Sequence, residues 1–293
     1  MIRLFIIIII FIGVVLLSIY LMQFNNTTPH QLLWSQCYQD KYPEKVLHMD
    51  KISKEKILFM VPAFNSSIKK LKNKINYLVE GFLDYKIFIY GLDSTMEETL
   101  QDLNNWQVED NKIYLVPPIN IRHLPRTVRI GTIRNEILTY IKSMYLDNWW
   151  AIAYDSDHLG PMSKLGLIDS ILRLKMIPEV YSICASGTVS GFPGMNFLYD
   201  SYAYRDINDH KFKTIMHSFL SDYTKIISGF SGAVLYRWDE LKNFSYQPTT
   251  NICEHISLNK SLKGHFDRKY KKKCYMEMSK IWHIYVGLQP SVG

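Results

Sequence analysis

The sequence predicts an α/β fold, a mainly parallel sheet flanked by helices, preceded by one membrane-spanning helix. Three observations predict it. Short apolar runs alternate with segments of helical spacing between about residues 56 and 154, the pattern of strands buried on both faces and helices that cover them. The chain has 293 residues, 47% hydrophobic and 21% charged, an ordinary globular balance that excludes wholesale disorder. Residues 4–22 read LFIIIIIFIGVVLLSIYLM without a single charge.

That first segment is long enough as a helix to cross the hydrocarbon core, and it is apolar all round, unlike a core helix with one polar face. It runs into Gln23-Phe24-Asn25-Asn26 with no small-residue cleavage pattern, which favours an anchor over a cleaved signal. Arg3 precedes the span and no Lys or Arg follows until Lys41. The positive-inside rule then puts residues 1–3 in the cytosol and the body on the other side. The expected arrangement is a single-pass type II membrane protein with its body in the ER/Golgi lumen or an equivalent non-cytosolic space. Residues 23–54, with Pro29 and Pro43 and little periodicity, read as a stem, and 55–293 as one domain.

Within that domain, Ile57–Val61 is a buried strand ending at Pro62. Ile68, Leu71, Ile75, Leu78 and Val79 recur at helical spacing. Lys86–Tyr90 is a strand, Met96–Leu103 a helix and Ile113–Val116 a strand. Val128–Ser143 is a helix with Ile130, Ile133, Ile137 and Ile141 on one face, and Trp149–Tyr154 is a fourth strand. The second half is less regular. Asp169–Met176 reads as a helix, Val180–Ala185 and Gly232–Trp238 as strands, and Ser186–Asp209 as a Gly- and aromatic-rich stretch.

Asp155-Ser156-Asp157 follows the fourth strand directly. Ligands of a parallel α/β sheet bind beyond the carboxyl ends of its strands, so both carboxylates emerge there. Two hard oxygen donors one residue apart suit Mn²⁺ or Mg²⁺, which can bridge a diphosphate. Arg129 and Arg134 offer forked donors to phosphate or ribose oxygens, and Asn135 stands beside the second. No G-x-S-x-G, P-loop, H-E-x-x-H, paired C-x-x-C or G-x-G-x-x-G is present, which excludes the common hydrolase, NTPase, zincin and Rossmann signatures. Cys253 and Cys274 are candidates for a disulfide in a lumenal compartment, a pairing that sequence leaves open.

The order of segments resembles the GT-A class of glycosyltransferases, and more narrowly the capsule-type mannosyltransferase-like family of fungi and large viruses. The resemblance runs through Ile57–Asn65, Ile87–Thr95, Arg129–Asn135, Tyr154–Asp157, Tyr199–Arg205, Ser231–Arg237 and Cys253-Glu254-His255, nearly all of the body. It implies transfer of a sugar from a nucleotide-sugar, with GDP-mannose the first donor to test, to a hydroxyl of a glycan or glycoprotein. By the same resemblance Pro62, Asp93, Arg129, Arg134, Asn135 and Asp155 contact the donor. Asp157 binds the metal, and Asp155 meets the ribose or a water on that metal. Glu254 is the candidate general base, with His255 beside it, and His283 a further metal ligand. Tyr199, Asp200, Arg205 and Gly232 line the acceptor and sugar pocket. The rival readings are a catalytically inactive GT-A-like lumenal protein that binds glycans or partners, and a nucleotidyltransferase.

Lys and Arg number 34 against 27 Asp and Glu, a net charge of +7 that by itself admits nucleic acid as a partner. Residues 263–273 hold six of the basic groups and one acid, Asp267, so this run alone contributes +5. The remainder is near neutral. The run reads as a solvated loop, or as an attraction for the donor diphosphate or an anionic acceptor, and no nucleic-acid partner is expected.

Overall fold

A computed structural model describes residues 52–63, 67–91, 97–156, 162–190, 196–198, 202–211 and 222–285. The expected tail, the span at 4–22 and nearly all of the stem lie outside them. Among the described residues no helix is long and apolar enough to cross a membrane.

The first half follows the expected alternation. Strand β1 (Lys56–Ala63) leads to α1 (Ile68–Val79), β2 (Asp84–Gly91), α2 (Glu97–Glu109), β3 (Ile113–Val116), α3 (Arg126–Lys142) and β4 (Trp150–Tyr154). All four strands are parallel, in the order β3-β2-β1-β4. Side chains of β1 alternate across the sheet. Leu58 and Met60 join a core under α3, while Ile57, Phe59, Val61 and Ala63 join a second core under α1 and α2. The order changes direction at the β1/β4 boundary, the place where an open parallel sheet forms its ligand crevice.

The second half adds α4 (Lys164–Met176), β5 (Val180–Ser190), β6 (Asn196–Leu198), β7 (Arg205–Asp206), β8 (Tyr223–Ser228), β9 (Ala233–Arg237), α5 (Trp238–Leu241), α6 (Glu254–Tyr270) and β10 (Tyr275–Tyr285). The sheet continues β4-β9-β5-β10-β8-β7, with β6 paired to β5. Here the expectation of a mainly parallel sheet is corrected. β9 runs antiparallel to both β4 and β5, and β6, β7 and β8 also pair antiparallel, leaving only β5/β10 parallel in this half.

Several boundaries shift for visible reasons. Helix α4 starts at Lys164, five residues before the expected Asp169, because Ser163 Oγ accepts from Gly166 N–H at 3.0 Å and caps it. A Cβ on Gly166 would lie 2.4 Å from Ile281 O and from Trp282 Cα, so the glycine lets α4 rest directly on the β10 backbone. Helix α2 runs on to Glu109, with Trp106 and Leu103 buried. The basic run at 263–273 is not a loop: Lys263 to Tyr270 form the last turns of α6. Several of its charges are paired, Lys263 with Asp267 (2.6 Å), Lys269 with Glu240, and Lys272 with Glu179 (2.5 Å). No disulfide joins Cys253 to Cys274. Cys253 Sγ instead lies 3.6 Å from Glu254 Oε2, and Cys274 Sγ lies 3.5 Å from Lys272 O.

Candidate functional site

At the carboxyl ends of β1 and β4 the chain gathers five of the expected residues, Pro62, Arg134, Asp155, Gly232 and Glu254. Asp155 follows the last residue of β4, and its backbone N–H donates to Gly232 O at 3.0 Å. Gly232 can face it because Ser231 (φ 46°) and Gly232 (φ 89°) are both left-handed, forming a tight turn closed by Ala233 N–H to Phe230 O at 3.0 Å. Next along the chain, Ser156 Oγ donates to Pro62 O at 2.9 Å and ties the end of β4 to the end of β1.

Arg134 projects from α3 into this corner. Its Nη2 donates to Asp155 Oδ1 at 2.7 Å and its Nε to Glu254 Oε1 at 3.1 Å. Glu254 opens α6, directly after the N-cap Cys253. The guanidinium carbon sits 4.8 Å from the Phe230 ring centre and 5.9 Å from that of Tyr246, close enough for cation–π attraction. Arg134 is buried, Glu254 nearly so, and the Asp155 side chain keeps 30% of its surface. One buried cation thus spans two carboxylates, the outer one open to the crevice. Burial opposes the charge on Arg134, but Asp155, Tyr246 and Glu254 together hold it well above the ordinary guanidinium value. Its Nη1 has no hydrogen-bond partner among the described residues.

His255 lies behind this pair. Its ring stacks on Phe230 at 3.9 Å and 17°, and meets Tyr246 edge-on at 5.3 Å and 88°. Its Nε2 is 3.6 Å from Glu254 Oε1, too long for a hydrogen bond. Burial, and then the charge of Arg134, push the imidazole well below its ordinary value, so it is neutral. Asn135 is committed elsewhere: its Nδ2 donates to Tyr246 O at 2.8 Å and its Oδ1 accepts from Tyr246 N–H at 2.7 Å. The amide thereby holds the loop that carries Tyr246, a residue the sequence offered no reason to single out.

The other expected residues fall in several places. Arg129 lies half-exposed on α3 and makes no ion pair among the described residues. Arg205, in β7, donates from Nη1 to Tyr204 O at 2.6 Å and Tyr202 O at 3.4 Å. His283 is buried in β10 in register with Ser186, and its carbonyl accepts from Ser163 N–H at 3.0 Å, where the chain returns after residue 161. Asp93, Asp157, Tyr199 and Asp200 lie outside the described residues. Among the described residues no group of three His, Cys, Asp or Glu could hold a metal. A cleft of about 620 Å³ between α1 and α2 lies at the other end of the sheet, lined by Trp106, Tyr85 and the Lys72–Glu109 pair.

No protein-family model and no curated protein matches the chain. Solved structures do. S. aureus TarS 1–349 in complex with UDP is 14% identical with a TM-score of 0.49, over 80% of this chain and 61% of that one. Glucosyl-3-phosphoglycerate synthase from Mycobacterium tuberculosis, in complex with Mg²⁺ and UDP, is 13% identical with a TM-score of 0.45, over 84% of this chain and 74% of that one. GalNAc-T7 with UDP, GalNAc and Mn²⁺ is 8% identical with a TM-score of 0.50, over 81% of this chain and 44% of that one. The chain thus spans about 61% of the length of the TarS structure it matches. Identities this low speak to architecture alone. With its parallel β3-β2-β1-β4 half, its antiparallel β9 insertion and its likeness to the GalNAc-T7 structure, the chain has the GT-A fold of glycosyltransferases.

Proposed function

We propose that the chain is a nucleotide-sugar-dependent glycosyltransferase that moves a sugar to an acceptor hydroxyl of a glycan or glycoprotein, with its body held at a membrane on the non-cytosolic side by residues 4–22. The observation that carries this reading is the meeting of Asp155 and Glu254 on one buried arginine at the β1/β4 crevice. Fold alone does not specify activity, so the chemistry of this corner has to support it.

In this reading the donor lies across the ends of β1 and β4, beside Pro62 and Asp155. The hard oxygens of Asp155-Ser156-Asp157 suit Mn²⁺ or Mg²⁺, with Asp157 as the direct ligand and Asp155 turned to the ribose. A divalent ion bound there supplies positive charge opposite the departing diphosphate. Glu254 takes the acceptor hydroxyl proton as the new glycosidic bond forms and the bond to the diphosphate breaks. Arg134 orients both carboxylates, a task that its two hydrogen bonds suit better than contact with phosphate. Arg205, Tyr199 and Asp200 belong to the stretch that would meet the sugar and acceptor.

The test is incubation of the purified chain with a panel of nucleotide-sugars and Mn²⁺, GDP-mannose first, with nucleoside diphosphate release and sugar transfer both read. Release of a nucleoside diphosphate with one donor supports the reading and names the donor. Pyrophosphate release would mark a nucleotidyltransferase instead. A folded protein that neither hydrolyses nor transfers any donor would be a GT-A-like binding protein.

A further inference from the structure

We propose that the end of the sheet opposite the crevice is a lipid-facing surface that rests on the bilayer. The proposal builds on the membrane-anchor reading and extends it from residues 4–22 to the folded body. Tyr145, Val108, Met176 and Leu83 are the four most exposed large hydrophobic residues described, at 90%, 87%, 72% and 60%. All four occupy equivalent places. Leu83 precedes β2, Val108 ends α2 before β3, Tyr145 lies between α3 and β4, and Met176 ends α4 before β5. β1 to β4 are mutually parallel, and β5 shares their direction through the antiparallel β9 between it and β4. The four tips therefore emerge at one end, the amino ends of these strands. From β3 to β5 the sheet order crosses five strand intervals, so the tips spread over about 24 Å at a spacing of about 4.8 Å.

Apolar tips spread in this way make no single patch for a protein partner to cover, whereas separate insertions into an interface need none. Lysines stand among them. Lys54, Lys142, Lys271 and Lys273 are exposed at this end and have no carboxylate partner among the described residues. Acids at this end are paired with other lysines: Glu55 with Lys175, Glu179 with Lys272, Asp84 with Lys112, Glu109 with Lys72, and Asp147 and Asp239 with Lys242. Lysine stems that lie along an apolar surface with their ammonium groups at the phosphates, and a tyrosine with its hydroxyl at the boundary, match a lipid headgroup layer. The described chain also begins here, at Ile52 just before β1, so residues 1–51 join the body at this end. Asp155 and Glu254 then face away from the bilayer, toward an acceptor in water.

The experiment uses the full chain in vesicles of phosphatidylcholine and phosphatidylserine carrying a photoreactive phospholipid, with adducts mapped by mass spectrometry. Adducts are expected on the peptides holding Leu83, Val108, Tyr145 and Met176, and none on those holding Tyr202 or Ile252. The quadruple variant L83S/V108S/Y145S/M176S should lose the tip adducts several-fold while its soluble fold, read by circular dichroism, is unchanged. Adducts confined to residues 1–51 would overturn the proposal and leave the anchor reading standing. Adducts at the tips but none within residues 4–22 would do the reverse. Cross-links between the tips of two chains without lipid adducts would assign the surface to a second copy and overturn the proposal.

Discussion

Two arginines in this molecule are built alike and used differently. Arg173, on α4, presents Nε and Nη2 as a fork to the two oxygens of Glu277, the latter bond at 2.8 Å, and its guanidinium lies 4.0 Å from the Tyr223 ring centre. Its one carboxylate partner among the described residues is 1% exposed. Hydrogen bonding to Glu277 raises it above its ordinary value despite partial burial. Arg134 also stacks on an aromatic ring, yet its fork is divided between two carboxylates from different elements, one of them reaching the crevice. A fork closed on one partner stitches α4 to β10 and is complete. A fork shared by two partners fixes their separation, which is what a site that needs two acids in register requires.

The largest expected effects come from removing either arginine. Arg134→Met should cost about 3–5 kcal/mol of unfolding free energy, because it leaves buried carboxylate uncompensated, and Arg173→Met should cost a similar amount through Glu277. Turnover per folded molecule separates them: it should vanish for Arg134→Met and survive in Arg173→Met. Loss in both, with folded fractions matched by denaturant titration, would end the division drawn here.

Smaller changes sharpen it. Glu254→Gln should lower the transfer rate by about 10²- to 10⁴-fold while the protein stays folded. Glu277→Gln should leave the rate per folded molecule unchanged, and steady-state assays on the two variants decide this directly.

The Arg134 corner also carries a titration that the Arg173 corner does not, since His255 is the histidine that faces Arg134 and Glu254. The folded protein holds His255 neutral, well below its ordinary value of 6.5, whereas the unfolded chain protonates it near that value. Its contribution is present above about pH 6.5 and is lost as pH falls, by about 1.4 kcal/mol per pH unit at most. Chemical denaturation of wild type and His255→Phe between pH 7.5 and 5.5, a window of about two units, should show the variant with the shallower decline. As a surface reference, Lys72→Ala, which breaks an exposed pair with Glu109, should change stability by less than about 1 kcal/mol in the same assay.

Much of the first half was legible because its signals are local. Ile57–Val61, Ile87–Tyr90 and Trp150–Tyr154 are apolar runs that can only be strands buried on both faces, and the stripe at Ile68, Leu71, Ile75 and Leu78 is what the α1 face buries. Helix α6 and strand β10 were missed because their buried positions include polar residues. Glu254, His255 and Asn259 break the apolar stripe of α6, and Glu277 breaks that of β10. Three of them are buried with a hydrogen-bond partner from another element, Glu254 with Arg134, Asn259 with Tyr236 and Ser228, and Glu277 with Arg173, while His255 packs between the Phe230 and Tyr246 rings. The same cause explains why the antiparallel placement of β9 and the aromatic pair Phe230 and Tyr246 around Arg134 were not anticipated. Asp155, Arg134 and Glu254 were each expected at the site, but their mutual contact was not.

The sequence by itself determined the apolar segment at 4–22, the alternation that builds the parallel half, and the residue types offered at the end of β4, because periodicity and burial preference are properties of neighbours in the chain. Only the tertiary structure decided that one arginine serves both Asp155 and Glu254, that the first part of the basic run belongs to a helix and three of the run's six basic groups pair with acids, and that the exposed apolar tips share one end of the sheet. The first of these depends on residues 21 and 120 positions apart being brought within hydrogen-bond distance of one guanidinium. A pattern of neighbours holds no record of such distances; the packing of helices onto a twisted sheet sets them.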